Sequence, residues 1–370
     1  MGLYMKKNII SSIICGCIFS ISINSSACTR TLYVGEDNTV ITGRNMDWKE
    51  DMSSNIWVFP AGIHRDGAAG EHSIKWIAKY GSVGVSGYDA GTTDGMNEKG
   101  LVANLLYLAE ADYGETKDAP MLMSISVWPQ YVLDNFATVT DAVDALRKEP
   151  FKIVAPTLPN GSKASLHLSI SDRSGDSAIF EYINGKLVIH HGKQYTVMTN
   201  SPTYDEQLAL NKYWTEIGGL TFLPGTNRAA DRYARASFLI NAIPKKRDNN
   251  YIKGVPNQSF SYQAVAGVLS VQRAVSVPLG ITTPDQPNIS STIWRTVADQ
   301  KNLMYYFDSA TRPNTFWVDL KKLNLAIGAE VKKLTIEHGE IFTGEVSADF
   351  KNSNHLNFYL LSDKKVASLH

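Results

Sequence analysis

The feature that most constrains this chain is its N-terminal segment, in which an export-type sequence ends at a cysteine. Lys6 and Lys7 precede an uncharged, isoleucine-rich stretch from Ile9 to Ile23, and small residues occupy the −3 and −1 positions before Cys28. This is the pattern of a cleaved secretory signal peptide. The apolar stretch is shorter than the roughly 20 residues that cross a bilayer. The sequence therefore predicts a signal peptide over residues 1–27 and a mature chain that is exported.

Cleavage at that bond leaves a mature chain with one cysteine. Cys15 and Cys17 lie in the predicted signal, so Cys28 has no partner for an internal disulfide. An unpaired thiol is a liability in an oxidising compartment, so its position needs an explanation. Three hypotheses compete: a lipid anchor, an incidental thiol, or an N-terminal nucleophile. Ser25 at the −3 position disfavours the lipid anchor, because lipoprotein signals carry an aliphatic residue there.

The nucleophile hypothesis has a simple chemistry. A free cysteine thiol has a pKa of about 8.5, and a free α-amine has one of about 7.7–8.0. An amine held beside the sulfur can therefore accept the thiol proton near neutral pH and later deliver it to a leaving amine. No separate histidine is required.

Other functional classes lack support in the sequence. The 36 basic and 36 acidic residues balance, and no basic block marks a nucleic-acid partner. The eight histidines show no metal-ligand spacing, and neither a G-x-S-x-G elbow, a P-loop nor a dinucleotide fingerprint occurs. We therefore expect no metal, no cofactor and no nucleic acid, and no membrane segment after removal of the signal. A hydrophobic fraction of 44% is sufficient for a large core.

The residues after Cys28 predict a β-hairpin. Thr29–Val34 is β-branched and aromatic, Glu36–Asn38 has turn composition, and Val40–Trp48 resumes the extended pattern. Further alternating runs predict more strands. Helical periodicity predicts helices over Met123–Phe136, Val139–Arg147, Asp205–Ile217, Ala229–Ala242 and Tyr262–Ser276, with Thr140 or Asp141 as the cap of the second.

A hairpin centred between residues 37 and 38 would bring charged side chains near the thiol. This register places Asp47 opposite Cys28 and Arg44 opposite Thr31. An acid there can orient an α-ammonium, and a guanidinium can stabilise a thiolate. Residues 44 and 47 face opposite sides of a regular strand, so both reach the thiol only at a bulge or a strand end. The alternative is an ion pair on the surface of a hairpin.

Several sequence blocks resemble one enzyme family. C-T-R at Cys28–Arg30 and G-R-N-M-D-W at Gly43–Trp48 are similar to the opening of the choloylglycine hydrolases, which include bile salt hydrolases and penicillin V acylases. The resemblance covers roughly residues 28–280 and is to the exported, Gram-negative type. The later matching blocks are D-G-M-N-E-K-G-L at Asp94–Leu101, T-N-S-P-T at Thr199–Thr203, and the run Asp231-Arg232-Tyr233 before an apolar helix.

The resemblance implies a fold and an activity. The fold is α+β: a four-layer αββα sandwich of the N-terminal nucleophile hydrolases, with two stacked antiparallel sheets in a single domain over residues 28–370. The activity is hydrolysis of linear N-acyl amides through a thioester on Cys28. The resemblance further implies a homo-oligomer, for which a tetramer is one form found among relatives, in the periplasm or the secreted fraction.

The resemblance also implies roles for individual residues. Asn200 would contact the oxyanion or the substrate amide, and Arg232 would add a charge near the thiol. The residues alone leave two alternatives open: an Asx-turn at Asn200 and a salt bridge between Arg232 and Asp231. The implied catalytic residues are Cys28, Arg44, Asp47, Asn200 and Arg232.

Tyr107 and Trp48 bear on the substrate. Intestinal bile salt hydrolases typically carry asparagine where this chain has Tyr107, which resembles the penicillin V acylases. The resemblance implies that both lie near the nucleophile, where aromatic walls favour an aryl or alkyl acyl group over a steroid, as in penicillin V or an N-acyl homoserine lactone. The residues alone leave open that either ring is simply part of the core. Two alternatives remain: a conjugated bile salt hydrolase with the same mechanism, and a lipid-anchored binding protein with an acylated Cys28.

The N-terminal analysis makes a direct prediction. The exported protein should begin at Cys28 and carry a free α-amine, because the small-residue cleavage site ends at Ala27. Intact mass measurement of the exported protein checks this. Retention of the first 27 residues, or a diacylglyceryl adduct, would contradict a mechanism that needs an unblocked amine.

Overall fold

The computed structural model describes residues 28–358, except for residues 117, 118, 120, 160 and 283–289. The predicted signal peptide over residues 1–27 lies outside the described residues, as does the segment 359–370 of the predicted domain.

In the described part of the chain, strands make up most of the regular structure, and five α-helices accompany them. In chain order the strands are β1 (Thr29–Gly35), β2 (Thr39–Trp48), β3 (Ile56–Phe59), β4 (His64–Asp66), β5 (Lys75–Ile77), β6 (Ser82–Ser86), β7 (Thr92–Asn97), β8 (Val102–Tyr107), β9 (Leu122–Ser124), β10 (Lys152–Val154), β11 (Leu166–Ser171), β12 (Ser177–Ile183), β13 (Lys186–His191), β14 (Val197–Met198), β15 (Ser291–Asp299), β16 (Met304–Ser309), β17 (Thr315–Asp319), β18 (Lys332–Leu334), β19 (Gly344–Glu345) and β20 (Lys351–Asn352). The helices are α1 (Trp128–Asn135), α2 (Val139–Leu146), α3 (Tyr204–Ile217), α4 (Ala229–Ala242) and α5 (Phe260–Ala274).

Most strands belong to two large sheets. Sheet I has seven strands in the order β14-β1-β2-β15-β16-β17-β19, and sheet II has nine in the order β13-β12-β11-β8-β7-β6-β3-β18-β20. Neighbouring strands are antiparallel throughout both sheets, except for the parallel pair β17 and β19. Two short pairs, β4 with β5 and β9 with β10, lie outside them.

The helices cover the outer faces of the two sheets. Helices α4 and α5 pack on β1 and β2 of sheet I, and α3 packs on α4. Helix α1 packs on β7 and β8 of sheet II, and α2 packs on β12. One apolar cluster includes residues of both sheets and of α4 and α5, and a second joins sheet II to α1 and α2. This arrangement confirms the predicted αββα sandwich.

The first hairpin forms as predicted, but its register differs by one residue. Arg44 lies opposite Arg30, so the predicted pairing of Arg44 with Thr31, and with it that of Asp47 with Cys28, is wrong. The loop has three residues between the paired strand ends and not two. Two of these, Asp37 and a neighbouring asparagine, adopt positive φ, which short polar side chains tolerate better than most.

The first predicted helix is the other clear difference. The prediction over Met123–Phe136 is wrong at its start, where Leu122–Ser124 is strand β9 and a 3₁₀ turn precedes α1. The Ser124 side chain accepts a hydrogen bond from the backbone nitrogen of Ser126, which ends the strand, and proline occupies the first turn of α1. An apolar run of this kind fits a strand or a helix equally well.

The other four predicted helices agree with the structure to within two residues at each end. The cap of α2 is Thr138, whose side chain accepts from the backbone nitrogen of Asp141 at 3.1 Å, and not Thr140 or Asp141. Among the described residues, no helix combines the length and apolar character that crossing a membrane requires.

The contact between α5 and β2 depends on Gly43. A Cβ at this position would lie 2.7 Å from Cγ1 of Val268 and 2.8 Å from Cγ of Gln272, whose side chain is held by a 2.7 Å hydrogen bond to Thr31. We expect Gly43→Ala to lower the free energy of unfolding by about 1–3 kcal/mol through overpacking. Urea denaturation measures this change. Gly225→Ala is the control, since nothing lies within 4 Å of its Cβ position. Equal stability of the two variants would contradict the predicted close contact.

Candidate active site

Cys28 immediately precedes β1, which is the second strand of sheet I and has a neighbour on each side. Strand β14 flanks β1 on one side and β2 flanks it on the other, so loops and side chains from both neighbours reach the first residue. The cysteine is 2% exposed. Its surroundings therefore determine its chemistry.

The backbone nitrogen of Cys28 is held by Asn200. It donates a 2.5 Å hydrogen bond to Oδ1 of Asn200, which lies in the loop between β14 and α3. The Nδ2 of Asn200 in turn donates to the carbonyl oxygen of Tyr107 at 2.7 Å. Because one end of the amide accepts and the other donates, its orientation is fixed from both sides.

Arg232 of α4 binds the main chain of Cys28. Its Nη1 donates to the carbonyl oxygen of Cys28 and to Oγ1 of Thr29, both at 2.5 Å, and its Nη2 donates to Oδ1 of Asn200 at 2.8 Å. Nη1 also lies 3.8 Å from Oδ2 of Asp47. The guanidinium thus joins the nucleophile, the amide and the acid in one buried network.

Asp47 carries the negative charge of this network. Its Oδ1 accepts a 2.5 Å hydrogen bond from Oγ1 of Thr292, and within the described chain its Oδ2 has no hydrogen-bond donor. Burial raises the pKa of Asp47 to about 6, against the opposing effects of Arg232 and the Thr292 hydroxyl. The backbone carbonyl of Asp47 lies 3.7 Å from Sγ of Cys28. At neutral pH the carboxyl is therefore mainly ionised.

Arg44 approaches the thiol from the space between the sheets. It is fully buried, its Nη2 donates to the carbonyl oxygen of Leu105 in sheet II at 2.9 Å, and its guanidinium lies 4.6 Å from the ring centre of Trp294. Nε and Nη1 have no hydrogen-bond acceptor among the described residues. Burial raises the pKa of the Cys28 thiol, while the charges of Arg44 and Arg232 act to lower it.

Asp47 and Arg44 lie on opposite faces of β2, and a β-bulge interrupts the neighbouring strand β15. Asp47 faces the helices and Arg44 faces sheet II, as alternation along a strand requires. The bulge lies between Thr292 and Trp294 of the adjacent β15. These two residues would share a face in a regular strand, but here Thr292 binds Asp47 and Trp294 stacks on Arg44. Cys28 lies at a strand end, which is the alternative that lets both side chains come near the thiol, and the bulge in β15 lets Thr292 and Trp294 contact one of them each.

An apolar cavity of about 70 Å³ opens beside the thiol. Trp48 and Tyr107 form part of its wall, with ring centres 6.3 Å apart. The indole Nε1 of Trp48 donates to the hydroxyl of Tyr88 at 2.7 Å, which fixes the ring. Other lining residues include Met46, Met52, Leu105, Ile125, Leu158 and Leu166.

The structure thus brings all seven predicted site residues together. Arg232 bonds to the nucleophile and not to Asp231, whose carboxylate accepts from Thr226 instead. Sequence reasoning missed Thr292, Trp294 and Tyr88. None of these three lies in a matching block, so no local signal pointed to them. In the part of the chain that the structure describes, no group of three or more His, Cys, Asp or Glu side chains has the geometry to hold a metal.

A buried cysteine at the start of an interior strand, with its nitrogen and carbonyl held by side chains, is the arrangement expected of an N-terminal nucleophile hydrolase. The family model of the linear amide C–N hydrolases, choloylglycine hydrolase family, matches residues 28–337. The chain belongs to this family and is an enzyme of the linear amide hydrolase class. The match confirms the predicted resemblance and extends beyond residue 280.

Individual relatives agree with this assignment. A penicillin V acylase from Pectobacterium atrosepticum is 49% identical over 350 residues, which span 90% of this chain and 92% of the relative. A bile salt hydrolase/transferase from Clostridium perfringens is 26% identical over 332 residues, or 82% of this chain and 95% of the relative.

Solved structures show the same fold. The structure of penicillin V acylase from Agrobacterium tumefaciens has a TM-score of 0.82 and 55% identity, and covers 90% of this chain and 100% of that one. A conjugated bile acid hydrolase from Clostridium perfringens, at 23% identity, has a TM-score of 0.67 and covers 83% of this chain and 97% of that one.

The environment of Asp47 predicts a pH dependence. If the ionised carboxylate is required, kcat/KM should be full above the pKa of about 6 and fall as the pH drops through it. Thr292→Val removes a hydrogen bond that favours the ionised form. Such bonds contribute about 1.5–3 kcal/mol, and one pKa unit corresponds to about 1.4 kcal/mol, so the acidic limb should move up by about one to two pH units.

The control for this experiment is Thr292→Ser, which keeps the hydroxyl donor and should keep the acidic limb of the wild type. The pH profile of kcat/KM on one substrate compares the three proteins. An acidic limb at the same pH in the valine and serine variants would contradict the assigned role of Asp47.

Proposed function

We propose that this protein is an exported amidase that hydrolyses penicillin V or N-acyl homoserine lactone type amides through a thioester on Cys28. One observation supports it most: Asn200 and Arg232 hold the nitrogen and carbonyl of Cys28, while the thiol faces an apolar cavity. Removal of residues 1–27 would convert the held nitrogen into an α-amine. The site then contains a nucleophile and a base on a single residue.

Acylation begins with proton transfer from the thiol to the α-amine. Burial and the charge of Arg232 disfavour a permanent ammonium, whereas Asp47 stabilises the ammonium that forms during the reaction. The positive charge of Arg44 stabilises the thiolate from the opposite side. These opposing effects keep the amine basic enough to accept a proton and acidic enough to return it.

The thiolate then attacks the acyl carbonyl carbon and forms a C–S bond. The Nδ2 of Asn200 carries two hydrogens and donates one of them to the carbonyl of Tyr107. The other can donate to the negative oxygen of the tetrahedral intermediate and stabilise it. The C–N bond breaks as the ammonium of Cys28 protonates the leaving amine. Water, deprotonated by the same α-amine, attacks the thioester, releases the carboxylic acid and restores the thiol.

The cavity favours a slender acyl group. A dry cavity of about 150 Å³ accommodates benzene, so the cavity of about 70 Å³ seen here must widen even for a phenyl ring. The unbranched side chain of Met52 is suited to such movement. A steroid requires a far larger opening. Conjugated bile salts remain the second candidate, because a relative 26% identical to this chain is named a bile salt hydrolase/transferase.

Location and assembly complete the proposal. The signal-like segment supports export to the periplasm or the medium, with the mature enzyme free of the membrane. The family membership supports a homo-oligomer, with a tetramer as one candidate. A lipid-anchored binding protein is the competing class, and it would show an acylated Cys28 and no turnover.

Substitution of the nucleophile tests the proposed function. Cys28→Ala should abolish turnover of phenoxymethylpenicillin while leaving the chain folded, because the substitution removes a single sulfur atom from a large core. Cys28→Ser should keep at most weak activity, since a hydroxyl is a poorer proton donor. Release of amine measures turnover, and circular dichroism measures folding. Undiminished turnover by Cys28→Ala would exclude the mechanism.

Tyr107 provides the test of specificity. We expect kcat/KM for phenoxymethylpenicillin or a long-chain N-acyl homoserine lactone to exceed that for taurocholate by about 10–200-fold, the range of discrimination by apolar contacts. Tyr107→Asn should narrow this ratio, because it removes one aromatic wall. Tyr251→Asn, at an exposed tyrosine outside the cavity, should leave it unchanged. A wild-type preference for taurocholate of tenfold or more would favour the bile salt alternative.

A further inference from the structure

A buried histidine–glutamate pair holds the segment that carries Asn200. His167 places Nε2 at 2.9 Å from the carbonyl oxygen of Thr199 and Nδ1 at 2.8 Å from Oε1 of Glu181. The second carboxylate oxygen of Glu181 accepts a 3.0 Å hydrogen bond from the backbone nitrogen of Tyr204. The pair therefore binds both ends of residues 199–204.

The pair belongs to the space between the sheets and not to the substrate cavity. His167 lies on β11, opposite Leu106 of β8, and Glu181 lies on β12. Both side chains are 1% exposed, and neither lines the cavity beside Cys28. They can affect the reaction only through the residues that they hold.

The pair requires a particular arrangement of protons. A carbonyl oxygen faces one ring nitrogen of His167 and a carboxylate oxygen faces the other, and both can only accept unless the carboxyl is protonated. The two hydrogen bonds therefore need either an imidazolium beside a carboxylate or a neutral imidazole beside a carboxylic acid. In both forms the Nε2–H of His167 donates to Thr199, so the link to the loop is the same.

We propose that His167 and Glu181 are positioning residues for Asn200. They bind the carbonyl of Thr199 and the nitrogen of Tyr204. These bonds fix the position of the loop, and with it the position at which Oδ1 of Asn200 accepts the hydrogen bond from the nitrogen of Cys28. The expected effect on kcat rests on the proposed function. The expected effect on the hydrogen bond between Asn200 and Cys28 does not depend on it.

Two substitutions at Glu181 separate geometry from charge. Glu181→Gln replaces the carboxyl group but keeps every link: its amide oxygen can accept from Tyr204, and its amide nitrogen can donate to Nδ1 of a neutral His167. Glu181→Asp keeps the carboxyl group, but a side chain shorter by one methylene cannot span both partners. The inference predicts that glutamine is the better substitute.

The experiment compares kcat per titratable thiol, KM and the melting temperature. We expect kcat of Glu181→Gln within threefold of the wild type, and kcat of Glu181→Asp at least fivefold lower with KM changed by less than twofold. Glu345→Asp is the control, because Glu345 also joins a side chain to a backbone nitrogen, those of Lys322 and Ser347, away from the site. It should leave kcat unchanged.

The outcomes are distinct. A kcat of the aspartate variant equal to or above that of the glutamine variant overturns the proposal, as does a melting temperature that falls while kcat stays unchanged. If the wild type hydrolyses no amide, the proposed function fails, but alkylation of Cys28 by iodoacetamide still decides the positioning role. That rate should fall at least fivefold in Glu181→Asp and not in Glu181→Gln, and equal rates in both overturn it.

Discussion

The constraint on which the rest of this structure depends is that Cys28, the residue we propose as the nucleophile, lies buried at the start of an interior strand. A strand start inside a sheet leaves a backbone nitrogen and a carbonyl that the interior must satisfy. Here Asn200 binds the nitrogen, and Arg232 binds the carbonyl. The polar groups that bind the buried main chain of Cys28 are thus the groups that surround its thiol. The contacts that complete the fold at this strand start therefore also form the site.

The buried charges are stable only as a set. Arg232 and Asp47 are both fully buried, and an isolated ion in such a position would be strongly unfavourable. Hydrogen bonds to backbone oxygens, to Asn200 and from Thr292 compensate most of that cost. The Oδ2 of Asp47 keeps no hydrogen bond among the residues described, and in the proposed mechanism this oxygen can accept from the ammonium that forms on Cys28.

Much of this arrangement could be predicted from the sequence, and the failures have physical causes. The hairpin and the presence of Arg44 and Asp47 on its second strand could be predicted because strand composition and charge spacing are local features of the sequence. The register was wrong because it depends on whether the loop has two residues or three, a choice that composition does not decide. The partner of Asp47, Thr292, lies 245 residues away, so only the sheet pairing of β2 with β15 brings the two together. Tyr88 and the His167–Glu181 pair were also missed, because their partners are brought to them by the fold and not by the local sequence. The alternative of a salt bridge between Arg232 and Asp231 failed because α4 directs Arg232 towards Cys28.

The central claim is that the acyl group passes through Cys28, and trapping that intermediate tests it most directly. Mature enzyme mixed with phenoxymethylpenicillin, quenched in acid within its first turnovers and mapped by peptide mass spectrometry, should carry a phenoxyacetyl group on the N-terminal peptide. Hydroxylamine should remove the group from peptides kept in acid until its addition, because it attacks the acyl carbon of a thioester and breaks the C–S bond, releasing the thiol. An acyl group found on another residue, or substrate turnover with no acylated peptide even when deacylation is slowed, would contradict the account.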